Sequence, residues 1–405
     1  MITRFGSLYA GHVDLDGHGL DATPVNERWL PDEQLVTVFD KATAIATLMD
    51  RTGYDVFWLA EHHFQREGYE VIPNILMLSV HLAHLTRRIK FGCGFNIVPM
   101  WHPLRLAEDY ATADYLTGGR VLFGVGRGYH TREVETFGAP MRDPDANREL
   151  FEEQVEIIFK AFNEQSFAHR GKHYTIPPRV PYRGYELEEI TLVPRPLRRP
   201  VECFQPIVSA SPRGLDFMAR HGIKGVIGGG AAGGGAASKT VTAWQEALAR
   251  QGRQTEPGGD LVVGIMFHIA ETEEEAIRQA RPFFEEWMKM FAPLGFVPGL
   301  SEEQIRALGD PSLARRTPLP TLEEAVASGA WMVGPPQRLV ERLHELEERY
   351  PGLEEVHVGQ VVGTDQQVIL EQLEWFARDV MPVFKQRTST SATDTMLDER
   401  PVHVR

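Results

Sequence analysis

Residues 53–64 of this 405-residue chain have the sequence Gly53-Tyr-Asp-Val-Phe-Trp-Leu-Ala-Glu-His-His-Phe64. The run Val56–Ala60 is almost entirely apolar, which is typical of a parallel strand that is buried on both faces. A helical pattern over 32–51 precedes it, with apolar residues at spacings of three and four and Gly53 placed to end the helix. This order of elements indicates one repeat of an α/β fold.

The same alternation of short apolar runs and longer helical patterns continues along the chain. It predicts strands at 5–10, 56–60, 89–95, 121–125, 206–210, 223–227, 260–270 and 355–362. Eight strands, each followed by a helix, are the count of a (β/α)8 TIM barrel. We predict one such domain over 1–385, with insertions at about 163–200 after the fourth strand and 291–330 after the seventh. The Ser/Thr-rich tail 386–405 is predicted to be disordered.

Composition excludes several classes of function. The net charge is −14 at neutral pH, with 42 basic and 56 acidic residues, which argues against a nucleic-acid partner because phosphate binding needs clustered Lys and Arg. No run of apolar residues is long enough to span a membrane. Cys93 and Cys203 are the two cysteines, so no disulfide framework is expected, and we predict a cytoplasmic protein.

Polar residues follow the second predicted strand, at the end of the barrel where active sites are built. His62 and His63 lie there, and a histidine can carry protons near neutral pH. We favour a functional role for His62, whereas for His63 packing at the rim of the barrel is the stronger alternative. A metal site would need a third ligand of known placement. Glu61, His81 and His84 are candidates only by residue type, and we predict no metal.

Two further strand ends predict a phosphate site. Arg127 lies between two glycines after the fourth strand, where a guanidinium can bind phosphate in a bidentate manner. Ser211, followed by a proline, has the form of a helix start, and helix amino ends bind anions. The alternatives are an ion pair of Arg127 with Glu133 or Glu135 and a simple cap without ligand. The glycine-rich run 228–235 is interpreted as a mobile loop over the pocket, with plain flexibility as the alternative.

Several motifs in order strongly resemble one known family, the bacterial luciferase-like flavin-dependent monooxygenases. They are residues 53–64, then Ile89-Lys-Phe-Gly-Cys-Gly-Phe-Asn-Ile-Val-Pro99, His102-Pro103-Leu-Arg105-Leu-Ala-Glu-Asp109 and Gly118-Gly-Arg-Val-Leu-Phe-Gly-Val-Gly-Arg-Gly-Tyr129. Phe137-Gly138, Ser209-Ala-Ser-Pro212 and Val333-Gly-Pro-Pro-Gln-Arg-Leu339 also fit. The resemblance covers nearly the whole chain outside the two insertions and the tail.

The resemblance implies a barrel that binds reduced FMN, on which dioxygen forms a flavin 4a-hydroperoxide that oxygenates an organic substrate. His62 then matches the acid–base histidine, and Gly94-Phe95 matches a bulged pair under the flavin ring that is often joined by a cis peptide bond. The cofactor-binding residues it implies are Gly94, Phe95, Arg127, Gly128, Tyr129, Ala210 and Ser211. Gly126 stands where true luciferases carry a cysteine, which argues against light emission.

The expected pocket must exclude water, since a flavin hydroperoxide otherwise decays to hydrogen peroxide. Its candidate lining residues are Trp58, His63, Phe95, Asn96, Ile97, Met100 and Trp101, for several of which core packing is the alternative. The chain has no NAD(P)H fingerprint, so we expect a separate flavin reductase as partner, in a two-component system. A homodimer is expected from the resemblance. A deazaflavin-dependent hydride-transfer enzyme and a non-catalytic flavin-binding protein are the competing hypotheses, and the substrate is not readable from the sequence.

Overall fold

A closed ring of parallel strands forms the centre of the computed structural model, which describes residues 1–229, 235–297 and 299–389. Within these ranges, eight strands close into a barrel, and the first pairs with both the second and the eighth. The barrel strands are β1 (Arg4–Tyr9), β2 (Val56–Leu59), β3 (Lys90–Cys93), β4 (Val121–Gly126), β5 (Cys203–Pro206), β6 (Lys224–Ile227), β7 (Leu261–Ile269) and β8 (Glu355–Gly359). The predicted (β/α)8 TIM barrel is therefore confirmed.

Helices surround this ring. The longer ones are α1 (Thr37–Thr52), α2 (Ile75–Leu85), α3 (Pro103–Thr117), α4 (Pro144–Asn163), α5 (Pro212–His221), α6 (Gly235–Arg250), α7 (Glu273–Phe291), α8 (Pro336–Arg349) and α9 (Gln366–Asp379). The last helix of the described chain, Met381–Ser389, continues past the predicted start of the tail, and residues 390–405 lie outside the described residues. No helix in the described ranges is long and apolar enough to cross a membrane.

The barrel interior is closely packed around Trp58. This side chain is 1% exposed and contacts the rings of Phe204 and His357, at centroid distances of 5.0 and 4.9 Å. Glycine at position 92 makes room for it, because a Cβ there would lie 2.3 Å from the indole. A Cβ at Gly124 would lie 1.8 Å from the carbonyl oxygen of Cys93, so the backbones of β3 and β4 approach each other closely here.

Two expected elements differ from the structure. The fifth strand is predicted at 206–210 but spans Cys203–Pro206, because the buried run 203–205 precedes Pro206 and residues 208–210 are exposed. The first predicted helix is divided into Asp32–Leu35 and Thr37–Thr52. Gly53 ends the second part with φ 86°, a left-handed conformation that glycine adopts without penalty.

Both insertions contain short elements that the sequence analysis did not predict. The segment 163–200 carries two small antiparallel hairpins, Arg170 pairing with Thr175 in one and Tyr182 with Tyr185 in the other. The segment 291–330 forms the helices Glu302–Leu308, Pro311–Ala314 and Leu322–Ala327. It leads into the strand Trp331–Gly334, which extends the edge of β7. Both free cysteines are buried.

Candidate active site

His62 lies directly after β2 and is only 4% exposed. Its Nδ1 atom is 3.2 Å from the carboxylate of Glu133. Its Nε2 atom is 3.1 Å from the hydroxyl of Tyr129 and 3.3 Å from a carboxylate oxygen of Glu70. Both ring nitrogens therefore face acidic or hydroxyl groups, which fixes the orientation of the imidazole.

Glu70 connects the other members of this network. Its carboxylate accepts hydrogen bonds from the Tyr129 hydroxyl at 2.7 Å and from the side-chain amide of Gln65 at 2.9 Å. The Nε2 atom of His130 lies 2.9 Å from its second oxygen. The same amide of Gln65 donates to Glu133 at 2.9 Å. The loop after β2 and the segment after β4 thus meet in one buried hydrogen-bonded cluster, which we call the His62 network (His62, Gln65, Glu70, Tyr129, His130 and Glu133).

Opposing electrostatic effects act on this network. Burial disfavours the charged imidazolium of His62, but the carboxylates of Glu70 and Glu133 outweigh it, so the pKa of His62 is raised. Burial also works against both carboxylates, yet interaction with His62 keeps the pKa values of Glu70 and Glu133 below their usual range. Burial, with the nearby charge of Glu70, raises the pKa of the Tyr129 hydroxyl. Tyr129 is therefore uncharged at neutral pH.

An unusual backbone conformation shapes the loop after β2. Phe64 has φ 62°, a region that bulky residues rarely occupy. His62, two residues before Phe64, and Gln65, directly after it, both reach Glu133. We interpret this turn as part of what lets one short loop supply two members of the network.

Glu61 holds the end of β3 in place. Its buried carboxylate accepts hydrogen bonds from the backbone N–H of Ile97 and the indole N–H of Trp101, both at 2.8 Å. The Nε2 atom of His63 lies 3.2 Å from the same carboxylate, and the His63 ring also packs against Phe137. Trp101 and His63 are therefore held by Glu61 close to the His62 network.

The other pocket candidates lie around β3 and β4. The Gly94-Phe95 peptide bond is cis, as the resemblance implies. Asn96 is fully buried and donates to the carbonyl oxygen of Gly124, and Met100 packs against a small cluster that includes Ile97. Trp58, described above, lies in the barrel interior.

A group of guanidinium side chains lies beyond β4. Arg127 is half-buried, and its Nη1 atom lies 3.3 Å from the amide oxygen of Asn147 and 3.5 Å from the carbonyl oxygen of Pro144. Burial, followed by repulsion from Arg148, lowers the pKa of Arg127. In the described part of the chain Arg127 pairs with neither Glu133 nor Glu135. Glu133 contacts His62, and Glu135 accepts from the backbone N–H groups of Met141 and Arg142.

The guanidinium side chains beyond β4 surround the amino end of α5. The hydroxyl of Ser211 caps the helix by accepting from the backbone N–H of Gly214. A Cβ at Gly214 would lie 3.0 Å from the guanidinium of Arg148, so Arg148 reaches this helix end. Arg213 pairs with Glu152 at 2.7 Å. Arg127, Arg148, Arg213 and the capped helix end form what we call the cationic cradle.

Gly128 and Ala210 are neighbours of the cationic cradle in the sequence, next to Arg127 and Ser211. Gly128 has φ 82°, and a Cβ there would lie 2.5 Å from Val134. Ala210 is exposed in the loop after β5. The loop predicted over the pocket at 228–235 falls mostly outside the described residues.

A cavity of about 630 Å³ adjoins the His62 network. Its lining includes Gln65 and His130 from the network, and Ile305 and Leu308 from the insertion 291–330. Phe296 of the same insertion packs edge-to-face on Tyr129, at a centroid distance of 5.1 Å. The second insertion thus borders the candidate site. A smaller charged cavity of about 390 Å³ lies at the opposite end of the barrel, where Arg4 and Lys90 begin their strands.

Several residues of the site were missed by sequence reasoning. Gln65, Glu70 and Arg148 were not among its candidates. His130 was placed after the fourth strand without a role, and Glu133 was considered only as a partner of Arg127. The position of His130 three residues after Arg127, beyond the same strand end, was an available signal. Glu70 follows β2 by eleven residues, and no local pattern singles it out, because its role depends on how the loop folds back.

A profile of the luciferase-like monooxygenase family matches residues 15–351. The chain belongs to this family. Among its relatives within the luciferase-like monooxygenases is limonene 1,2-monooxygenase of Rhodococcus erythropolis, 25% identical over 282 residues, 66% of this chain and 67% of that protein. The oxygenase component of the flavin-dependent trigonelline monooxygenase of Acinetobacter baylyi is 23% identical over 357 residues, 86% of this chain and 91% of the relative.

Solved structures show the same architecture. The oxygenating constituent of 3,6-diketocamphane monooxygenase from Pseudomonas putida, in complex with FMN, superimposes with a TM-score of 0.68 at 19% sequence identity. The superposition covers 94% of this chain and 98% of that one. At this sequence identity the similarity supports the barrel fold of the luciferase-like monooxygenases. It gives no information about the substrate.

Proposed function

We propose that this luciferase-like monooxygenase is the oxygenase component of a two-component system, binding reduced FMN and using dioxygen to oxygenate a small organic substrate. The observation that carries the proposal is the cationic cradle at the carboxyl ends of β4 and β5. Helix amino ends and guanidinium groups bind phosphate through N–H donors. A phosphate-bearing cofactor is the expected occupant of such a site.

The charges of the cradle fit a flavin phosphate. Glu152 pairs with both Arg148 and Arg213, and Asp145 and Glu149 also lie near Arg213. Arg127 and Arg148 therefore supply most of the positive charge for a phosphate group. The contacts of Arg127 at this site are to the neutral oxygens of Pro144 and Asn147. Gly94, Phe95, Gly128, Tyr129, Ala210 and Ser211 remain our proposed cofactor-binding residues.

Reduced FMN, when bound, supplies the electrons that activate dioxygen. The contribution of this chain is to hold the cofactor and exclude water, and we assign the apolar lining to Phe95, Ile97, Met100 and Trp101. His62 holds a proton at Nε2, next to the Tyr129 hydroxyl, and exchanges it with the reacting groups. Glu133 fixes the ring through Nδ1 and thereby selects which nitrogen is available.

The substitution His62→Ala tests this assignment. We expect FMN binding to be retained and turnover to fall about 10²–10⁴-fold, the usual contribution of general acid–base catalysis. Binding is measured by flavin fluorescence and turnover by product formation with a supplied reductase. His84→Ala, at an exposed histidine of α2, is the matched control. Unchanged turnover in His62→Ala would remove His62 from the mechanism.

The deazaflavin alternative shares this fold, and a cradle for phosphate also suits it. Titration with reduced FMN and with reduced deazaflavin, followed by measurement of oxygen uptake, separates the two. We expect tighter binding of FMN together with oxygen consumption. Tight deazaflavin binding without oxygen uptake would favour hydride transfer, and binding without turnover by any reductase would favour a non-catalytic flavin protein.

Partners and assembly complete the proposal. We expect a separate flavin reductase, and NADH oxidation by the purified chain alone would contradict this. We also propose a homodimer formed through helices of the outer ring, and a cytoplasmic location. The insertions 163–200 and 291–330 are proposed to shape the substrate pocket.

A further inference from the structure

The carboxylates around His62 have no basic partner other than histidine. Glu61, Glu70 and Glu133 are all buried, and within the described residues their salt-bridge partners are His62, His63 and His130, with no Lys or Arg. Buried carboxylates are paired with cations or coordinate metals, because an isolated charge in the interior is costly. The composition of this cluster therefore leaves room for a bound cation.

Three ligand atoms in this cluster converge. One ligand atom from each of His62, Glu70 and His130 lies within 4.8 Å of the other two. The Nε2 atoms of His62 and His130 are 3.3 and 2.9 Å from the two oxygens of Glu70. Two imidazoles and one carboxylate are a common protein ligand set for Zn²⁺, with a fourth position left to another group. The Tyr129 hydroxyl lies close to two of these ligands, 2.7 Å from Glu70 and 3.1 Å from His62.

The surroundings of these ligands also suit a metal. Histidines that bind metals usually donate their other ring nitrogen to a carboxylate, which fixes the tautomer and the ring orientation. Glu133 occupies this place at Nδ1 of His62. Gln65 then links Glu133 to Glu70 through one amide. The carboxylate and one histidine of the trio are thus already held in place.

A route for an ion is present. His130 and Gln65 line the 630 Å³ cavity, whose lining also includes Leu294 and Arg306 at the molecular surface. An ion entering there would reach His130 first and Glu70 directly behind it. The trio combines two separate loops, the one after β2 and the one after β4, so no single motif in the sequence contains all three ligands.

We propose that His62, Glu70 and His130 form a binding site for a divalent transition metal of the Zn²⁺ class, and that the bound metal inhibits the enzyme. Inhibition follows because the metal occupies Nε2 of His62, the atom assigned above to proton exchange. This second part rests on the proposed function, whereas metal binding does not. The site would make activity sensitive to free Zn²⁺.

Binding is tested first, without flavin or substrate. The tag-free chain is titrated with Zn²⁺ by calorimetry and with Co²⁺ by visible absorption, which reports ligand geometry. We expect one equivalent to bind, with affinity lowered about tenfold or more in His130→Ala and in Glu70→Gln. Circular dichroism verifies folding, and Glu70→Gln keeps the shape of the side chain. His84→Ala controls for surface histidines and should bind as the parent chain does.

Inhibition is tested second, through the reoxidation of protein-bound reduced FMN by dioxygen. Saturating Zn²⁺ should change this rate as much as His62→Ala does, should have no further effect on that variant, and should be reversed by a chelator. No binding, or binding that survives both His130→Ala and Glu70→Gln, would overturn the site. Metal binding without any change in the rate would overturn the inhibitory role. Failure of FMN to bind at all would instead contradict the proposed function.

Discussion

Arg127 of the cationic cradle is the residue whose removal has the most specific expected effect. We expect Arg127→Ala to weaken FMN binding by about 1.5–3 kcal/mol, the range for hydrogen bonds to charged groups. The physical reason is that Arg127 already lies half-buried among neutral oxygens, so it loses little solvation when phosphate binds. Fluorescence titration measures the dissociation constant.

Arg148→Ala should weaken binding as well, since Arg148 reaches the same helix end. Arg51→Ala, an exposed ion-pair residue on α1, is the control and should leave the constant unchanged. An unaltered constant in Arg127→Ala would show that the phosphate lies elsewhere.

Part of the site could be predicted from the sequence and part could not. His62, Arg127 and Ser211 each follow a strand end directly, so their placement follows from the barrel rule alone. Glu70 reaches its site from a folded-back loop, and Arg148 reaches the cradle from near the start of α4. Their contribution depends on tertiary packing, which spacing along the chain does not encode.

At the scale of elements, Lys41 connects α1 to two loops at the end of the barrel. Its buried ammonium donates to the Asp14 carboxylate at 2.6 Å and to the carbonyl oxygen of Thr364 at 2.7 Å. Burial is the main cause that lowers the pKa of Lys41 to about 8, with Asp14 and Asp365 opposing it. In the unfolded chain the pKa returns towards 10.5. Above pH 8 the unfolded state therefore binds more protons, and the contribution of Lys41 to stability rises with pH.

We predict that the parent chain gains about 1.5 kcal/mol in unfolding free energy relative to Lys41→Met over the one and a half pH units above pH 8. Urea unfolding at several pH values measures the difference. The comparison with Lys41→Met cancels groups that titrate in both proteins. Parallel pH profiles for the two chains would contradict the assigned pKa.

Elements with strong patterns were predictable, and those near proline were not. The two-sided burial of Val56–Leu59 follows from its continuous apolar run. The fifth strand was misplaced because Ile207 and Val208 after Pro206 are β-branched and apolar, as in a strand, whereas the register with β4 and β6 begins at Cys203 and Phe204. Short elements in the insertions lack periodicity and depend on the surface they cover.

At the scale of the whole molecule, the outer face of α2 and α3 bears on the proposed homodimer. These helices contact each other, and both expose apolar side chains. Met77 is 72% exposed, and Leu85, Tyr115 and Leu116 are exposed as well. Exposed apolar residues grouped on neighbouring helices favour association.

We predict a dimer by light scattering coupled to size exclusion. The double substitution Met77→Glu and Leu116→Glu should give a folded monomer, because two buried charges would oppose the interface. The equivalent change at an exposed apolar residue elsewhere, Val383→Glu, is the control and should leave the dimer intact. A dimer that persists in the double variant would place the interface on another face.

The edge-to-face contact between Phe296 and Tyr129 has a consequence for how this scaffold diversifies. A segment outside the repeating architecture touches a side chain that itself touches the reacting imidazole. Exchanging that segment between relatives would alter which compounds enter the pocket. It would also alter the surroundings of the Tyr129 hydroxyl beside His62. Substrate selectivity and the chemistry at His62 are therefore coupled through this segment. Exchanging the segment alone should change the reaction as well as the shape of the pocket.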